Sequence, residues 1–116
     1  MGALEDLLPE EIKRVSTRSG DEFVVPYLHA LTAITIATEN DIAILGVDAH
    51  EIRQGNVLTV DMANASAEVE FTGDWRAYVR QLNDAARVWV TGHRLGENHG
   101  YILTSASQEE FQRLGK

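Results

Sequence analysis

The chain contains no cysteine. That excludes disulfides, thiolate metal sites and cysteine nucleophiles, and it fits a reducing compartment. No apolar run approaches the roughly 18 residues that a membrane-spanning helix requires. The opening Met1-Gly-Ala-Leu-Glu-Asp places acids where a secretory signal needs bases, so the expectation is a chain neither exported by a signal peptide nor membrane-spanning, with the cytoplasm as its compartment. No repeat with a period of 20–50 residues, no low-complexity tract and no linker composition is found, which argues against solenoids and multidomain arrangements. At 116 residues and 12.9 kDa, residues 1–116 are expected to form a single domain with one core.

Basic residues are scarce where acids are dense. Residues 39–72 hold Glu39, Asp41, Asp48, Glu51, Asp61, Glu68 and Glu70 against Arg53 alone, a net −6. Residues 1–38 carry −3 and residues 73–116 carry +1, which accounts for the formal −8 of the chain. A field this one-sided repels nucleic acid and anionic membranes and draws basic partners in.

The apolar pattern describes an α+β protein. Leu4, Leu7, Leu8, Ile12 and Val15 recur at helical spacing, and Pro9-Glu10-Glu11 suits a first turn, so a helix is expected at about 9–17. Pro26 can open a second helix carrying Leu28, Leu31 and Ile34 toward Asn40. Thr32, Ile34, Ile36 and Thr38 also alternate as a strand would, so residues 32–40 admit either state. Three segments, Ile42–Ile52, Leu58–Met62 and Ala67–Phe71, are expected to form a three-stranded antiparallel meander over about 42–72. Asp74 is a candidate N-cap for an amphipathic helix over about 74–91, with Trp75, Tyr78, Val79, Leu82, Ala86 and Trp89 on its apolar stripe. A short strand at Tyr101–Thr104 and a capping box, Ser107-Gln-Glu-Glu110, complete the chain.

Hairpin parity places Leu58, Val60 and Met62 with Leu45, Val47 and Ala49, which leaves Asp48, His50 and Asp61 on an outer face joined by Glu68 and Glu70. Neighbouring carboxylates gain only when a cation or basic group lies opposite, although such a face also serves solubility and protects a sheet edge. On the main helix Arg76, Arg80 and Arg87, with Asn83 between them, fall along the polar side, where they can grip a carboxylate or phosphate or pair with Asp84.

His50, His93 and His99 with Asp48 hold metal-ligating and acid–base chemistry. They show no compact ligand spacing, and no metal or other cofactor is expected. The glycines of Gly92–Gly100 match neither the dinucleotide nor the P-loop spacing. These residues point to a small acidic, non-catalytic domain that binds a basic protein partner through Asp48, His50, Asp61, Glu68, Glu70, Arg76, Arg80 and Arg87, with the immunity-type antagonist of a basic toxin as one concrete form. The alternatives are a small enzyme or ligand-binding domain built on His50, His93, His99 and Asp48, and a homo-oligomer subunit with no separate activity.

Overall fold

Each proline precedes a helix. Pro9 (φ −60°, ψ 152°) and Pro26 (φ −59°, ψ 158°) are extended N-cap residues, and φ near −65° is the one value their rings allow. The computed structural model describes residues 4, 7–19, 22–53, 56–63, 69–92 and 99–113. Helix α1 runs Glu10–Val15 and helix α2 runs Tyr27–Glu39.

The ambiguous stretch 32–40 is helical through Glu39, because Ala30, Ala33, Ile34 and Ala37 form a fully buried stripe at spacings of three, one and three. The threonines take part in the helix: the hydroxyls of Thr32, Thr35 and Thr38 donate to the carbonyls of Leu28, Leu31 and Ile34 at 3.3, 3.2 and 2.8 Å. Asp41 ends it in the left-handed region at φ 56°. The Ile42 N–H returns to Ala37 O at 2.8 Å and the Asp41 N–H to Thr38 O at 3.3 Å, the pair of bonds that defines a Schellman stop.

Between these helices lies a hairpin that the sequence pattern did not announce: β1, Thr17–Ser19, pairs antiparallel with β2, Glu22–Pro26. Strands β3, Ala43–Arg53, and β4, Asn56–Ala63, form the expected central hairpin, with Arg53 opposite Asn56. Strand β5, His99–Ala106, is longer than its apolar triplet suggested. Together they make one five-stranded sheet in the order β1-β2-β5-β3-β4, and the described pairings are antiparallel.

The α+β class is as expected, and three antiparallel strands do centre on β3, the third of them β5; the third strand expected at 67–71 falls partly outside the described residues. Residues 64–68 lie outside the described residues, and 69–72 are not in a strand. Their alternation has another cause. Val69 packs on a cluster formed by Trp75, Tyr78 and Phe111, and the Phe71 ring lies 6.2, 5.2 and 5.4 Å from those three rings, edge-on to each. The two apolar side chains therefore clamp an aromatic group, as offset and edge-on ring pairs prefer.

Helix α3, Trp75–Gly92, starts at Asp74, whose Oδ1 accepts the Ala77 N–H at 3.2 Å. Helix α4, Gln108–Arg113, carries the expected reciprocal capping box: Ser107 N–H to Glu110 Oε1 at 2.9 Å and Glu110 N–H to Ser107 Oγ at 3.2 Å. One core gathers Leu8 ahead of α1 and Ile12 within it, the small-residue stripe of α2, Ala86 and Val90 of α3, and Ile44, Val47, Ala49 and Tyr101 of the sheet. A second surrounds the aromatic cluster and includes Val79, Leu82, Ala43 and Ala106.

Candidate functional site

The expected acidic face follows from strand parity, and one bulge disturbs it. From the turn to His50 the pairing is as expected, with Glu51 opposite Leu58 and His50 opposite Thr59. The register then shifts between His50 and Ala49, so that Asp61 stands opposite Ala49 and Met62 opposite Asp48. A bulge inserts one residue into one strand and moves every later partner by one. Asp61 therefore does not share register positions with Asp48 and His50.

The side of the sheet away from the main core is not open either. Val25, Tyr101 and Ala49 belong to that core, so their neighbours Val24, Ile102 and Asp48 alternate to the other side. There Val24, Gly100 and Ile102 are buried, His50 is only 6% exposed and Asp48 is half-buried. His50 lies opposite Gly100, and Pro26 opposite the same glycine. Glycine is required at this crossing, since a Cβ on Gly100 would sit 2.5 Å from Val24 Cγ1 and 3.1 Å from the Val25 carbonyl oxygen. Glu70 is exposed in the segment before α3. Glu68 lies outside the described residues.

The histidines are dispersed in the register. His99 is opposite Glu51, one step from His50, and His93 lies outside the described residues. Among the described residues no three metal-ligating side chains come together, and no helix is long and apolar enough to cross a membrane.

The arginines divide into different roles. Arg76 Nε and Nη2 each lie 3.3 Å from a different carboxylate oxygen of Asp41, an exposed fork with side chains 70% and 43% accessible. Arg87 Nη2 donates to Thr35 Oγ1 at 2.5 Å. Arg80 is exposed and has no ion-pair partner among the described residues, Asp84 included.

Asn83, expected on the same polar side, is instead buried. Its Oδ1 accepts the Ile44 N–H at 2.8 Å, and its Nδ2 donates to Ile42 O at 3.0 Å and Thr38 Oγ1 at 2.9 Å. With Trp75 Nε1 donating to Asp41 O at 2.7 Å, helix α3 holds the whole turn from α2 into β3. The signal for Asn83 was present in its spacing, four after Val79 and three before Ala86, which is the buried stripe itself. Burial pushes the Tyr78 hydroxyl above its usual 10.0.

No protein-family model, characterised protein or solved structure matches the chain. The chemistry of its surface must therefore be read directly. Residues 27–41 and 75–92, which are helices α2 and α3 and the turn that ends α2, carry Glu39, Asp41 and Asp84 against Arg76, Arg80 and Arg87, a net charge of zero, so the whole −8 lies in the rest of the chain. Glu10, Glu11, Glu70, Asp74 and Glu109 are exposed there.

Proposed function

We propose that this protein is a small non-catalytic binding domain that captures a basic protein partner through its acidic charge, in the manner of an immunity-type antagonist. The observation that carries this reading is the partition of charge: two helices that are neutral together with the Asp41 turn between α2 and β3, and a remainder holding all eight net negative charges. Long-range attraction does not need the carboxylates on one sheet face. Potentials add over the molecule and are screened only beyond about 8–10 Å near physiological salt. Asp48, Asp61, Glu68 and Glu70 all contribute to that field without having to share a face.

The test is affinity capture from the source cell on immobilised protein, eluted over a salt gradient. The expected result is a basic protein retained at low salt and released as ionic strength rises, with weaker retention by the Glu68→Gln, Glu70→Gln double variant at unchanged melting temperature. If the wild type retains nothing, or the variant keeps the same protein at every salt concentration, the acids only solubilise the fold.

A further inference from the structure

Helix α2 is unusual among the surface elements because it presents almost no charge. From Phe23 to Thr38 the chain contains no Asp, Glu, Lys or Arg. The outward side of α2 consists of exposed Leu28, Thr32 and Thr35 and ends at exposed Glu39, flanked by half-buried Leu31 and Ile36, which pack on the core. Both exposed threonines direct their hydroxyl hydrogens to carbonyls of their own helix. Those hydrogens are therefore already used within α2, and Thr35 Oγ1 in addition accepts from Arg87 Nη2.

Helix α3 lies beside α2 and antiparallel to it. Thr38 bonds Asn83 and Thr35 bonds Arg87, so the partner positions descend as α2 ascends. Val88 of α3 is 73% exposed and Leu28 of α2 is 67% exposed, the two most accessible large apolar side chains among the described residues.

We infer that the outer face of the α2–α3 layer is a self-association surface whose occupant is a second copy of this chain, packed across a two-fold axis. The charge distribution selects that occupant. Two copies carrying −8 each repel over most of their surface, whereas the helix pair with its Asp41 turn is neutral: Arg80 and Arg87 are balanced by Asp84 and Glu39, and Arg76 by Asp41. A two-fold axis sets this patch against itself, and a patch with equal acids and bases is complementary to itself in charge. A basic partner is drawn to the acidic remainder instead, so this surface and the proposed capture function do not compete.

The dimensions also fit. Helices of 13 and 18 residues are about 20 and 27 Å long and lie about 8–10 Å apart, giving an outer face of about 500 Å². Pairing two such faces removes about 1,000 Å² in total, the lower bound for a specific interface. The dimer is therefore expected to be reversible.

Sedimentation equilibrium from 1 to about 500 μM tests this with a measurement independent of any partner. The expected result is a monomer–dimer equilibrium that persists at about 0.5 M salt, and a Leu28→Glu, Val88→Glu variant that associates at least tenfold more weakly while keeping the wild-type circular dichroism. Because the chain has no native cysteine, single cysteines give a second readout that does not depend on the double variant folding. Thr32→Cys should form an intermolecular disulfide on mild oxidation, and Glu109→Cys on α4 should not. A monomer at every concentration overturns the inference. So does a dimer that dissolves in salt, or one that cross-links through position 109 rather than 32.

Discussion

Asn83 joins three segments that would otherwise leave buried polar groups. The Ile44 N–H is the second of β3, the Ile42 carbonyl belongs to the turn, and the Thr38 hydroxyl lies in the last turn of α2; one carboxamide meets all three. Each buried group left unsatisfied costs about 1–3 kcal/mol. Asn83→Leu is therefore expected to destabilise the fold by about 2–4 kcal/mol in denaturant titration, and a loss under about 1 kcal/mol would mean that the turn is held by Trp75 alone. The tryptophans should separate in the same assay. Trp75 is buried and donates to Asp41 O, so Trp75→Ala should cost about 3–5 kcal/mol. Trp89, expected in the core from its periodicity, is only half-buried at the core's edge and should cost about half as much. Tyr78 predicts an alkaline limit. Its hydroxyl titrates higher when folded than when unfolded, so its neutral form stabilises the native state fully below pH 10, and that contribution is lost as pH rises above the unfolded value. Tyr78→Phe should flatten the fall of melting temperature above pH 10.

At the level of elements, periodicity was readable where one face is buried and the other wet, as in α3 and the β3–β4 hairpin. It misled where another cause produced the same alternation. Val69 and Phe71 alternate because both reach down onto the aromatic cluster, and a ladder strand would look identical. Helix α2 admitted two readings because it is apolar nearly all round, with alanines inward and leucine and threonine outward. Its proline start was legible, whereas its Asp41 stop lacked the glycine that usually marks one. The β3–β4 bulge has no signature in the alternation at all, which is why the acidic face was assigned one register step wrong beyond Ala49. The β1–β2 hairpin was missed because its strands are short. The strand crossing at Gly100 gives a test of this packing: Gly100→Ala places a methyl on the buried Val24 side chain and should cost about 1–3 kcal/mol. Val24→Ala in the same chain should recover part of that loss, since the two changes share one contact.

For the whole molecule, helices α2 and α3 together with the Asp41 turn that Asn83 and Trp75 hold carry no net charge, while the remainder carries −8. Attraction of a basic partner by that field acts before contact, so it should raise the association rate more than it slows dissociation. Replacing exposed acids should then lower the on-rate, with stability changed by less than about 0.5 kcal/mol. The most direct measurement is the association rate constant of the retained partner against ionic strength, by stopped flow, for wild type and Glu68→Gln, Glu70→Gln. The wild-type rate is expected to fall steeply between about 0.02 and 0.3 M salt, and the variant line to start lower and fall less. A rate independent of salt, or identical for both proteins, would contradict capture by charge.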